Sequence, residues 1–227
     1  MVCKITKRFK KQKFGFSIQN IGPPIDFVDA DQADPAPTNM KIGVYSELFN
    51  DGTNKVNFFQ LRLKNISNLK LIKISKKIKK IVKKNNVKFL INNKPILSKK
   101  IGADGCHIGQ QDLNIKKSRK ILGKNKIIGV TCHNSKKLAM EAKNNGADYI
   151  AFGSFFKSVT KKTPFRANLT ILRWTKKKIN MPTVAIGGIN NSNYKKILNS
   201  GTDFIACSNY VWNNKRLDPV SAIKKFK

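Results

Sequence analysis

The sequence predicts one α/β domain, eight parallel strands alternating with helices and closed into a (β/α)8 barrel, with an irregular N-terminal segment. Three observations predict it. From Val56 onward, short apolar runs alternate with amphipathic stretches at helical spacing. No Gly-rich dinucleotide turn follows the first strand, which weighs against an open doubly wound sheet. The triplets Gly102-Ala103-Asp104, Gly146-Ala147-Asp148 and Gly201-Thr202-Asp203 each fall between a helix and a strand, where glycine supplies the left-handed conformation that ends a helix. Alternating βα units demand parallel strands and right-handed crossovers. A chain of 227 residues suits one barrel with one core.

The elements follow in order. Residues 56–61 (VNFFQL) read as a strand, and 69–82 as a helix with Leu71, Ile74, Ile78, Ile81 and Val82 on one face. The pattern then gives strand 87–91, helix Pro95–Ile101, strand Gly105–Ile108, helix Ile115–Leu122, strand 127–130 and helix 135–145. It continues with strand Tyr149–Phe152, helix Leu169–Lys178, strand Thr183–Ile186, helix 192–198, strand 204–207 and a last helix over 219–226. Closure needs one more strand, and 14–19 (FGFSIQ) is the candidate. Residues 22–40, with four prolines and four aspartates, read as a loop, and 41–49 as a remnant of the first helix. The domain is therefore 14–227, preceded by a basic arm over 1–13.

Composition bounds the function. No apolar run reaches the roughly 18 residues needed to span a bilayer, and no apolar stretch follows the basic start as a secretory signal would require. A soluble, cytoplasmic protein without membrane partners is expected. Cys3, Cys106, Cys132 and Cys207 form no C-x-x-C pair, so they read as reduced, partly buried thiols. The chain has 46 basic and 12 acidic residues, a formal charge of +34. That field attracts anions, yet its lysines are spread over amphipathic helices. Nucleic acid is expected only through non-specific attraction. Homo-oligomerisation stays open. Beyond Gly52 there are only six carboxylates: Asp104, Asp112, Glu141, Asp148, Asp203 and Asp218. The three aspartates of the Gly-x-Asp triplets lie on the face opposite the expected site and read as structural.

In such a barrel the chemistry sits at the C-terminal strand ends. Those positions hold Gln60, Arg62 and Lys64, then Asn92 and Asn93, then His107 to Asp112, then Thr131 and His133. Ser158, Thr160 and Lys161 follow the next strand, then Gly187-Gly188 and Ser208. Arg62 and Lys64 alternate, so both side chains point one way from an extended segment. Cations, hydroxyls, approachable glycine backbone and a lone carboxylate suit a diphosphate bridged by Mg²⁺ and a second phosphate at the Gly-rich loops. No Ser-His-Asp arrangement, paired carboxylates or H-E-x-x-H motif is present. Asp112 reads as a metal ligand, with capping of the following helix as its alternative. His107 alternates with apolar residues and reads as a satisfied interior histidine, while His133 is ambiguous.

The strings FQLRLK (59–64), FLINNKP (89–95), GADGCHIGQQD (102–112), IGVTCHNS (128–135), GADYIAFGSFF…TKK (146–162) and AIGGI (185–189) resemble thiamine-phosphate synthases, TIM barrels that condense a pyrimidine diphosphate with a thiazole phosphate. The resemblance spans about 56–212, with all motifs in order. It implies that Gln60, Arg62, Lys64 and Asn92 hold the aminopyrimidine diphosphate. Asn93 and Asp112 would bind Mg²⁺, Thr131 and Lys161 would contact the pyrimidine, and Ser158, Thr160, Gly188 and Ser208 the thiazole phosphate. Arg62, Lys64 and Lys161 are the implied catalytic set. In this family the bond to pyrophosphate breaks first, and the thiazole nitrogen captures the resulting pyrimidine-methyl cation. The chain departs from the family pattern at Asn93, where an aspartate is usual, so weaker Mg²⁺ affinity is expected, and at Leu63, where many members carry glutamate. Two rival readings remain: a thiazole tautomerase of the same superfamily using His133, and a degenerate basic barrel that binds nucleic acid.

Overall fold

The computed structural model describes residues 56–63, 65–157 and 164–226. Seven strands form one parallel sheet in chain order: β1 (Phe58–Leu61), β2 (Lys88–Asn92), β3 (Gly105–Ile108), β4 (Ile127–His133), β5 (Tyr149–Phe152), β6 (Thr183–Ile186) and β7 (Phe204–Ala206). Between them run α1 (Asn68–Lys84), α2 (Pro95–Ile101), α3 (Ile115–Leu122), α4 (Lys136–Asn144), α5 (Leu169–Lys178) and α6 (Tyr194–Asn199). Helices α7 (Asn209–Trp212) and α8 (Pro219–Lys224) follow β7. The sheet curls so far that Phe58 of β1 and Phe204 of β7 meet edge to face, their ring centres 5.5 Å apart. This is the curled parallel sheet of a TIM-type barrel. The strand expected at 14–19, the loop at 22–40, the helical remnant at 41–49 and the arm at 1–13 lie outside the described residues.

The strands bury both faces, as parallel strands between a core and a layer of helices must. Phe59, Leu61, Phe89, Ile91, Cys106, Ile108, Ile128, Val130, Ile150, Phe152, Ala185 and Ile205 belong to the outer apolar core packed under the helices. The alternate positions face the barrel interior by the two-residue period. Five of the helices begin on side-chain caps: Ser67, Asn114, Ser135 and Asn168 each accept a backbone N–H of the first turn, and Asp218 accepts two. Asn114, rather than Asp112, is the cap of α3.

The Gly-x-Asp triplets are structural, and the geometry gives the reason. Asp104 accepts the backbone N–H of Phe89 at 2.9 Å, Asp148 that of Ile128 at 2.7 Å, and Asp203 that of Thr183 at 2.8 Å. Each carboxylate thus ties the start of one strand to the start of the strand before it. Burial raises the pKa of Asp148 and of Asp203, while those same backbone donors lower it. Cys106, Cys132 and Cys207 are free and buried, and burial lifts the Cys106 and Cys132 thiols to about 12, which makes them inert packing. Cys3 lies outside the described residues.

Candidate active site

The tips of β1 and β2 are joined by side-chain amides. Gln60, 3% exposed, donates from Nε2 to Asn92 Oδ1 at 2.5 Å. Asn92 Nδ2 then donates to Asn93 Oδ1 at 2.6 Å. Asn93 sits at φ 62, a left-handed conformation that asparagine tolerates better than most residues. Its backbone N–H reaches the carbonyl of His107 at 2.8 Å, which anchors the turn to β3.

Arg62 leaves β1 on the same side as Gln60, half-buried. Burial lowers its pKa, and the negative charge of Asp112 pushes the other way. The two groups therefore share one electrostatic environment at the mouth, although 50 residues of sequence separate them. Asp112 is held by the Gly109 backbone N–H at 2.6 Å. Gln110 donates to the Thr131 carbonyl, so the loop after β3 closes over the end of β4.

Thr131 is tied from below. Its Oγ1 lies 2.8 Å from His107 Nε2, and His107 Nδ1 lies 2.7 Å from the Tyr149 hydroxyl. His107 is the satisfied interior histidine the sequence predicts: burial pushes its pKa down to about 4, leaving a neutral imidazole at pH 7. Tyr149 is the residue that sequence reading missed. It reads there as an ordinary strand position, and only the neighbouring Gly129, which leaves space beside it, gives a hint. A Cβ at Gly129 would fall inside the Tyr149 ring.

The far side of the mouth is built by the loop after β5. Phe155 N–H bonds the Ile186 carbonyl and Phe156 N–H the Gly187 carbonyl, both at 3.1 Å. Gly188 has φ 65, and a Cβ there would stand 2.5 Å from the Lys157 carbonyl oxygen. Only glycine fits that approach. His133 follows an irregularity in the β4 register and stacks on Phe165, ring centres 3.8 Å apart. Ser208 leads into α7, and its carbonyl accepts from Val211 and Trp212. Of the site residues expected from sequence, the structure brings Gln60, Asn92 and Asn93 into one chain of bonds and leaves Arg62 within electrostatic reach of Asp112. Thr131 joins a separate network, and Gly188 and Ser208 stand at the ends of β6 and β7. Lys64, Ser158, Thr160 and Lys161 lie outside the described residues.

A family model described as thiamine monophosphate synthase matches residues 41–211. The chain belongs to the thiamine-phosphate synthase family. The thiamine-phosphate synthase of Pelagibacter ubique is 57% identical over 175 residues, covering 77% of this chain and 84% of that protein. The thiamine-phosphate synthase of Rhodospirillum centenum is 38% identical over 167 residues, covering 74% and 80%. The chain is accordingly a transferase of this family. A solved structure, the thiamine phosphate pyrophosphorylase from Pyrococcus furiosus, superposes with a TM-score of 0.75 at 24% identity over 94% of this chain and 93% of that one, a likeness of fold. Among the described residues no helix is long and apolar enough to cross a membrane.

Proposed function

We propose that the rim pocket binds 4-amino-2-methyl-5-pyrimidinylmethyl diphosphate and a thiazole ethyl phosphate, and joins them to thiamine phosphate with release of pyrophosphate. The observation that carries this reading is the chain of amide hydrogen bonds from Gln60 through Asn92 to Asn93 at the ends of two strands, with Arg62 within electrostatic reach of Asp112. A half-buried guanidinium acts in a medium of reduced dielectric, where its pull on a departing diphosphate exceeds its value in water. Arg62 and, by the family pattern, Lys64 and Lys161 stabilise the leaving charge. The bonded amides of Gln60 and Asn92 fix donor geometry before substrate arrives, so little reorganisation accompanies bond cleavage. Thr131 orients the pyrimidine. Ser158, Thr160, Gly188 and Ser208 take the thiazole phosphate.

The donor set fits Mg²⁺. Among the described residues there is no group of three or more His, Cys, Asp and Glu that could hold a metal by themselves. Magnesium, however, is usually held by one or two carboxylates plus substrate phosphates; Asp112 is such a carboxylate, and the Asn93 amide oxygen would be a neutral second ligand. When bound, the ion would supply additional neutralisation of the diphosphate. No general base is needed, in keeping with a neutral His107. The test is an assay of the full chain with both phosphorylated substrates and Mg²⁺, following thiamine phosphate. Lys161→Ala should abolish product. Thiamine phosphate formed at the unsubstituted rate in that variant would overturn the role given to Lys161, and no thiamine phosphate from the unsubstituted chain at any Mg²⁺ concentration would overturn the synthase reading itself.

A further inference from the structure

The register of the sheet puts His107, Gly129 and Tyr149 side by side on β3, β4 and β5. Gly129 contributes no side chain, so the residues flanking it meet across the gap, their ring centres 5.5 Å apart. Both are buried, His107 at 4% and Tyr149 at 7% exposure. The result is a line of three polar groups from the barrel interior to its mouth: the Tyr149 hydroxyl, the His107 imidazole and the Thr131 hydroxyl.

Counting protons along this line fixes its polarity. The imidazole is 4% exposed and both its nitrogens meet hydroxyls rather than a carboxylate, a setting in which an unpaired charge is costly, so it is neutral and carries one N–H. The Tyr149 hydroxyl has one proton, and His107 Nδ1 is its sole hydrogen-bond partner among the described residues. If Nδ1 carried the imidazole proton, the phenol proton would be buried without an acceptor, which native interiors avoid. Tyr149 therefore donates to Nδ1. The imidazole proton sits on Nε2 and is donated to Thr131 Oγ1. Thr131 accepts from below, and its own O–H is left to donate away from the histidine.

We propose that Tyr149 and His107 are positioning residues that set Thr131 as a hydrogen-bond donor toward the barrel mouth, selecting a pyrimidine with an unprotonated ring nitrogen at that point. This rests on Thr131 facing the pyrimidine, as read above. A 4-aminopyrimidine offers such an acceptor. The corresponding 4-oxopyrimidine carries a proton on the neighbouring ring nitrogen and would set donor against donor. Sites that hydrogen-bond a substrate reject the mismatched analogue strongly, because their own groups are left unpaired.

The free full-length protein, labelled with ¹⁵N in its two histidines, tests the polarity directly, with His107→Gln assigning the signals. At pH 7 His107 should show a protonated Nε2 and an unprotonated Nδ1. A protonated Nδ1 overturns the proposal whatever the site binds. Tyr149→Phe keeps the ring and removes the phenol proton. It should raise KM for the pyrimidine diphosphate about tenfold, leave kcat within about twofold, and narrow the preference for the amino over the oxo substrate by a similar factor. An unchanged KM and an unchanged amino-to-oxo ratio overturn the proposal. Thr131→Val should match that loss and Thr131→Ser should restore it. A wild-type KM in Thr131→Val would sink the placement of Thr131 against substrate, and the selectivity with it, a failure distinct from a wrong tautomer.

Discussion

Lowering the pH from 7.5 to 5 should cost the folded protein about 2 kcal/mol through His107 alone. The unfolded chain takes up a proton at this side chain near pH 6.5, and the folded chain takes it up only near pH 4. The folded value is depressed, so the unfolded state binds more protons between those limits. Stability is therefore full above pH 6.5, falls as the pH drops from 6.5 to 4, and levels off below. Each pH unit inside the window is worth about 1.4 kcal/mol. At pH 5 the loss has reached about 2 kcal/mol, or roughly 4–8 °C in Tm for a chain of this size. The physical cause is a ring 4% exposed whose two nitrogens are both engaged by hydroxyls, so that a second proton would displace the Tyr149 donor. The chain has only two histidines, so few side chains compete in this range. Urea unfolding at pH 7.5 and 5 should show the loss in the wild type and its disappearance in His107→Gln, which cannot titrate. If the two proteins lose equal stability between those pH values, the assignment of a neutral buried imidazole is wrong.

Other outcomes follow from the same geometry. Asp148→Ala should cost about 3 kcal/mol in urea unfolding, because it removes the acceptor of the Ile128 N–H and the partner of Arg119; a loss under 1 kcal/mol would show that water replaces it. Gly129→Ala should cost about 1–3 kcal/mol, since the new methyl group overlaps the Tyr149 ring, and Gly129→Ala combined with Tyr149→Leu should recover part of it. Asn93→Asp restores a carboxylate beside the Asn92 amide and should lower the Mg²⁺ concentration at half-maximal turnover by about tenfold, read from a metal titration of the rate; the unsubstituted chain should still turn over at raised Mg²⁺.

Much of the fold was legible in the chain because burial imposes a period. Strands and helices alternate from Val56 on, and the boundaries of Gly105–Ile108, Ile115–Leu122, Tyr149–Phe152, Leu169–Lys178 and Thr183–Ile186 coincide with those in the structure, since apolar spacing, caps and glycines are local signals. The strand 127–130 runs on to His133, past an irregularity after Thr131 that no periodicity announces. The terminal helix expected over 219–226 ends at Lys224 as α8, and the short α7 (Asn209–Trp212), which the pattern did not announce, precedes it. The candidate site was legible as a set of strand-end residues, and its polar types pointed to an anion. Which of them touch was not. That Arg62 senses Asp112, that Gln60 bonds Asn92, and that His107 stands between Tyr149 and Thr131 depend on strand register and on the empty space at Gly129. Local sequence carries hydrophobic period and capping because neighbours in the chain enforce them. It carries no record of which distant side chains share a row across the barrel, because that is settled only when the sheet curls and its strands take their register.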